Sequence, residues 1–170
     1  MKATVFVSML AASAGAVLAD TPASVGHAQS HAQIQQLATI FRASILAKDG
    51  KTLCGLFIAD SFWAQVFGDQ VYASVKAQDP TTTQIEPGNC RQFADYIGAG
   101  KERFEEKFSN LRINGDDTVA SLYFDYVFLI DNKVSNSGVE TWQLIHTAEG
   151  WKINALTYSV TAVTPPAKSQ

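Results

Sequence analysis

His146 is the only histidine in the part of the chain that reads as folded. An imidazole titrates near neutrality, so on a cavity wall it would suit proton abstraction from a bound molecule. The plain alternative is a strand-end histidine at the rim, satisfied by a backbone carbonyl. Glu140 precedes it on the same strand, roughly 20 Å away at ordinary strand rise, so the two cannot form a direct pair. A partner for His146 must come from another element. Asp125 is a second candidate base, a carboxylate set in an otherwise apolar strand. Its alternation with Ser121 and Tyr123 predicts the outer, solvated face instead.

Trp63, Tyr96, Tyr126, Phe128 and Trp142 are candidates to line an aromatic pocket for a flat or apolar molecule; the same residues would serve equally as ordinary core. His27 and His31 have the spacing of two ligands on one helix turn. They fall in a polar stretch, and two ligands alone hold a metal weakly, so no metal site is expected. The run Lys101–Lys107, KERFEEK, reads as a solvated strand edge with Phe104 turned inward. No phosphate-binding glycine loop, GxSxG, HExxH or dinucleotide fingerprint occurs, and no cofactor is expected.

The elements that must carry these residues can be read from periodicity. Ile34, Leu37, Ala38, Phe41, Ile45 and Leu46 recur at helical spacing and predict a helix over about 31–48. Asp49 is suited to cap a short second helix carrying Leu53, Cys54, Leu56 and Phe57. Phe62–Phe67 reads as a first strand, and Asp79–Asn89, with its prolines and threonines, as a loop. Asn89 caps a third helix from Cys90 to about Ile97, ended by Gly98 and Gly100. A meander follows: strands at 104–113, 119–130, 139–146 and 151–160. Its turns are expected at Asn114-Gly115, at Asp131-Asn132-Lys133 and before Gly150. Helices gathered ahead of an antiparallel sheet indicate an α+β fold.

Alternation then assigns faces. Leu122, Phe124, Tyr126, Phe128 and Ile130 form the greasy side of the long strand and should face the helices. Trp142 and Leu144 join them, bringing Glu140 and His146 to the same side. Carried through the Gly150 turn, the pattern places Trp151, Ile153, Ala155, Thr157 and Ser159 inside. Small residues on the hollow face of a curved sheet leave volume unfilled, so Ala155 and Thr157 are expected to bound a pocket. A bulge would invert this parity beyond it.

Bulk properties narrow the class. Residues 1–19 start with Lys2, continue through an uncharged apolar run and end in Val-Leu-Ala, which predicts a secretory signal peptide cleaved after Ala19. A flexible leader over 20–30, one domain over 31–162 and a disordered tail over 163–170 complete the expected organisation. The product would be secreted or periplasmic, with no attachment to the membrane after cleavage. Thirteen basic against sixteen acidic side chains give a formal net charge of −3, which argues against nucleic acid as a partner. Cys54 and Cys90 are an even pair, which in an exported chain suggests a disulfide worth roughly 3–4 kcal/mol. Two buried free thiols are the alternative.

Several segments, taken together, resemble the nuclear transport factor 2-like (NTF2-like) superfamily, its SnoaL-like branch in particular. They are Lys48-Asp49-Gly50 closing the first helix, Leu56–Asp60, Asn114–Ala120 ahead of a long strand, Gly138–Trp142, Glu149–Ile153, and Tyr158-Ser159. The resemblance runs from about Ile34 to Val160. It implies a cone-shaped barrel of three N-terminal helices packed on a curved mixed or antiparallel sheet, with one internal cavity and often a homodimer through the outer sheet face. Its members include isomerases, dehydratases, cyclases and many non-catalytic binders. Many relatives carry histidines on the last strand, where this chain has Ala155 and Thr157, which weakens the case for acid–base catalysis. The expected function is therefore binding of a small apolar or aromatic molecule in the cavity. The alternatives are a cofactor-free isomerase, dehydratase or cyclase using a cavity His or carboxylate as general base, and a dimerisation or interaction module.

Overall fold

The computed structural model describes residues 25–163. The expected signal peptide and nearly all of the expected tail lie outside the described residues. The chain opens with α1 (Val25–Ala47) and α2 (Gly50–Gly55), then β1 (Phe57–Phe67), α3 (Asp69–Gln78), β2 (Ile85–Pro87) and α4 (Cys90–Ala99). The meander follows as β3 (Phe104–Gly115), β4 (Val119–Ile130), β5 (Lys133–Thr147) and β6 (Gly150–Val160), with a short β7 (Ala162–Val163). The strands form one seven-stranded sheet in the order β2-β1-β6-β5-β4-β3, with β7 on β5. All pairs are antiparallel except β1 with β6. The fold is α+β, with a curved mixed sheet.

The helices form where the sequence expects caps. Asp49 accepts from Thr52 N at 2.9 Å and opens α2; Asn89 accepts from Gln92 N at 2.9 Å and opens α4. Cys54 of α2 and Cys90 of α4 are joined in a disulfide. On α1, Ile34, Leu37, Ala38, Phe41 and Ile45 are buried at helical spacing. They share one core with Leu122 and Phe124 of β4, Trp142 and Leu144 of β5, and Ile153 and Leu156 of β6. Each such side chain, fully buried, contributes on the order of 1.5–3 kcal/mol.

The structure departs from the sequence reading in four places. α1 begins at Val25, inside the stretch expected to be a leader. α3 and β2 lie in segments that periodicity did not resolve. β1 begins at Phe57, which was expected in the second helix; Asp60, at φ 57°, breaks the alternation, and pairing with β6 shifts between Phe57 and Phe62. The first hairpin turn falls after Gly115 rather than at Asn114-Gly115. Asp116 N donates to the Val119 carbonyl at 2.9 Å, and the Asp116 carboxylate accepts from Thr118 N and Val119 N at 2.7 and 2.8 Å. The two-residue turn with both central residues at positive φ lies instead at Asp131 (φ 50°) and Asn132 (φ 63°), between the paired Ile130 and Lys133.

Candidate functional site

A cavity of about 310 Å³ opens on the inner face of the sheet, under α1 and α4. Most of its wall is aromatic: Phe41 from α1, Trp63 from β1, Phe93 and Tyr96 from α4, Tyr126 and Phe128 from β4, and Tyr158 from β6. Its polar groups are Gln65, Ser135, Asn136 and two glutamates, Glu106 and Glu140. Tyr96, 52% exposed, carries the lining out to solvent.

Glu106 is the residue that the sequence reading passed over. It sits in the KERFEEK run, two positions after buried Phe104, so strand alternation sends it inward while Glu105 and Lys107 point away. It is 5% exposed, and opposite it on β4 stands Phe128. Glu140 of β5 is 3% exposed and stands opposite Phe124. The two carboxyls thus hang from the strands either side of β4, with Tyr126 between them in register. Trp142 Nε1 donates to Glu140 Oε1 at 2.5 Å. The Glu106 carboxyl meets no hydrogen-bond donor among the described residues; Arg42 Nε donates to its backbone carbonyl, at 3.0 Å.

Burial disfavours the charged form of both acids. Glu140 is pushed up to about 8 by desolvation, against the opposing pull of the Trp142 hydrogen bond. Glu106 is held well above the usual carboxylate range, first by burial and then by the charge of Glu140, with Arg42 opposing. At neutral pH the pair therefore retains protons that surface glutamates have lost. Burial likewise raises the phenols of Tyr126 and Tyr158, and the two acids add to it. The Tyr126 hydroxyl lies 2.9 Å from Asn136 Oδ1 and 3.0 Å from the Ser159 carbonyl, and its one proton serves one of them at a time. Tyr158 donates to Gln65 Oε1 at 2.6 Å. Gly138, opposite Tyr126, permits this closeness, since a Cβ there would overlap the Ser159 carbonyl.

Two bulges decide what reaches the cavity. In β5, pairing with β4 passes from Phe128–Asn136 to Leu129–Val134, leaving Ser135 as the extra residue. Ser135 and Asn136, neighbours in sequence, consequently both line the cavity. In β6, pairing with β5 passes from Leu144–Ile153 to Gln143–Ala155, leaving Asn154 as the extra residue. Parity inverts beyond it. Leu156, Tyr158 and Val160 turn inward, and Ala155 and Thr157 are not among the lining residues. The expectation that Ala155 and Thr157 bound the pocket is corrected by that one inserted residue.

The other candidates divide. Trp63, Tyr96, Tyr126 and Phe128 lie together on the cavity wall. Trp142 is fully buried behind it, its indole packed against Phe41 and Phe124 at centroid distances of 4.9 and 5.2 Å. His146 is exposed at the end of β5, its ring 5.1 Å from that of Trp151, away from the cavity. Asp125 lies on the opposite face and accepts from Asn110 Nδ2 at 2.6 Å. His27 and His31 stand one turn apart on α1, and no group of three or more potential metal ligands occurs among the described residues. No helix among them is long and apolar enough to cross a membrane.

No family model and no curated protein matches this chain. Solved structures do. A protein provisionally named as a scytalone dehydratase, from Novosphingobium aromaticivorans, matches with a TM-score of 0.63 at 13% identity, over 85% of this chain and 98% of that one. A provisionally named dehydratase of the NTF2-like family from Streptomyces avermitilis matches with a TM-score of 0.60 at 14% identity, over 81% and 99%. An NTF2-like protein with a cystatin-like fold, also from Novosphingobium aromaticivorans, gives 0.59 at 10% identity, over 84% and 86%. The chain has the nuclear transport factor 2-like, or cystatin-like, fold. At these identities the likeness is one of fold.

Proposed function

We propose that this chain is an exported protein, secreted or periplasmic, that binds a small apolar or aromatic molecule in its internal cavity. The observation that carries the reading is the wall itself: seven aromatic side chains around about 310 Å³, with a few polar groups among them. That volume lies at the lower end of small-molecule sites, and the pattern of apolar lining with sparse polar anchors is their usual chemistry. The Cys54–Cys90 disulfide supports export, because such bonds persist in oxidising compartments. The test is native mass spectrometry of the protein purified from its own host. The expected result is a retained small molecule, absent from a Ser135→Phe variant that fills the cavity. A wild-type protein that retains nothing and gains no thermal stability from aromatic fragments would overturn the reading.

A second reading, a cofactor-free isomerase- or dehydratase-type enzyme, draws on the Glu106–Glu140 pair. Two acids forced to share protons can divide the work: the ionised one accepts a proton from a bound molecule and the protonated one returns it elsewhere. Two of the similar structures carry dehydratase names. This reading predicts turnover that collapses in Glu140→Gln, and it moves the base from His146 to a cavity carboxylate. A homodimer through the outer face, where Tyr123 and Asp125 lie, is compatible with either reading. Sedimentation at high micromolar concentration tests it, and a monomer there would remove it.

A further inference from the structure

Two carboxyl groups stand in this cavity, and among the described residues no Lys, Arg or His lines it. The Glu106 carboxyl is buried, faces the void and has no donor of its own. Arg42 is engaged elsewhere, through the Glu106 backbone carbonyl and at 5.6 Å from the Phe108 ring centroid. Arg42 lowers the cost of ionising Glu106 only in part: burial outweighs it, and the second acid beside it raises the cost again. Whatever enters is therefore favoured if it brings positive charge and disfavoured if it brings negative charge.

The wall makes the same demand by a separate route. Trp63, Phe93, Tyr126, Phe128 and Tyr158 line the same cavity as the acids, and the face of an aromatic ring carries the negative lobe of its quadrupole. An organic cation held over such faces gains about 2 kcal/mol or more once it is desolvated. A hydrated metal ion gains nothing from apolar walls of this size; an amine on a carbon body uses both features.

We infer that the cavity is built for a small organic cation, an amine or quaternary ammonium group on an apolar or aromatic body. The inference rests on the proposal that the cavity holds a ligand, and it names the chemical class. Ionised Glu106 or Glu140 faces the ammonium, the ring faces flank it, and the apolar remainder fills the space toward Tyr96.

Three probes of matched size separate the possibilities: benzyltrimethylammonium, its neutral isostere neopentylbenzene, and the anion phenylacetate. Each is titrated calorimetrically into the full chain at pH 8.5, above the point at which Glu140 ionises. The cation is expected to bind at least about tenfold more tightly than the isostere, with phenylacetate weakest. Glu106→Gln and Glu140→Gln should each remove about that tenfold while leaving the isostere within about twofold. Circular dichroism checks that the variants fold. Glu106→Gln, whose carboxyl makes no hydrogen bond, suffices if Glu140→Gln does not. Equal or tighter binding of the isostere or the anion overturns the inference and leaves the ligand-binding reading standing. So does a cation affinity that survives the substitutions. Failure of all three probes to bind overturns the inference; the ligand-binding reading falls with it only if native mass spectrometry also finds no retained molecule.

Discussion

The inner face of the sheet has a solid half and a hollow half, and both are built from aromatic side chains of the same strands. In the solid half Phe108 and Phe124 lie 4.0 Å apart by ring centroids, Phe41 and Trp142 4.9 Å, and Phe124 and Trp142 5.2 Å. In the hollow half the spacings are those of the looser solid-half pairs: Trp63 and Phe93 at 5.7 Å, Tyr126 and Tyr158 at 5.8 Å, Phe93 and Phe128 at 6.0 Å, against 6.1 Å for Phe41 and Phe108 and 6.0 Å for Phe108 and Trp142. What changes is the polarity interleaved with the rings. Where the partners are Leu122, Leu144 and Ile153, apolar groups close on one another until no void is left. Where they are Glu106, Glu140, Asn136 and Gln65, each polar head keeps space for a partner that the protein does not fully supply.

The largest expected effect breaks the solid half. Phe124→Ala removes a fully buried ring in contact with Phe108 and Trp142 and should cost about 3–5 kcal/mol. Phe128→Ala enlarges a space that already exists and should cost less than half as much, because few close contacts are lost on the cavity side. Urea unfolding of both variants measures the difference. Equal losses would mean that the two halves are packed alike.

The next effect belongs to the hollow half and depends on pH. Folded Glu140 ionises near pH 8, against an ordinary value of 4.5. Between those values the unfolded chain has released a proton that the folded chain keeps, so stability falls as pH rises. The contribution is complete below about pH 4.5 and gone above about pH 8. Glu106, raised in the same direction, steepens the slope. Each group contributes at most about 1.4 kcal/mol per pH unit. Glu140→Gln keeps an acceptor for Trp142 and loses the titration. Its urea midpoint should therefore drop less between pH 5 and pH 8.5 than that of the wild type. Parallel drops would sink the claim that the pair is buried in its neutral form.

How far the sequence disclosed this contrast depends on the distance over which each signal acts. Alternation in β4 is local and unbroken, so the inward set from Leu122 to Phe128 was legible, as were the caps at Asp49 and Asn89. Glu106 was legible in principle, since Phe104 fixes the parity of β3 two residues earlier. The charge run around it suggested solvent, and only the packing of α1 and β4 shows which side is covered. The bulges at Ser135 and Asn154 carry no sequence mark. They are set by how β5 and β6 accommodate their neighbours, and each re-aims every side chain beyond it. The void was thus anticipated for a reason the structure replaces: Tyr158, not Ala155 or Thr157, reaches it from β6.

The smallest expected effects come from residues that the corrected parity removes from the cavity. Ala155 and Thr157 follow the Asn154 bulge on the face turned from the helices, and His146 is exposed at the strand end beside Trp151. His146→Ala should change stability by less than about 0.5 kcal/mol. Ala155→Phe, a substitution that would plug the hollow if the parity ran unbroken through Asn154, should leave benzyltrimethylammonium binding within about twofold of wild type. Ser135→Phe, in the opposite strand, should abolish it. The pair reads the bulge directly. If Ala155→Phe blocks the cavity and Ser135→Phe does not, then β6 runs without its inserted residue in solution, and the inner wall must be rebuilt with Ala155 and Thr157 in place of Tyr158.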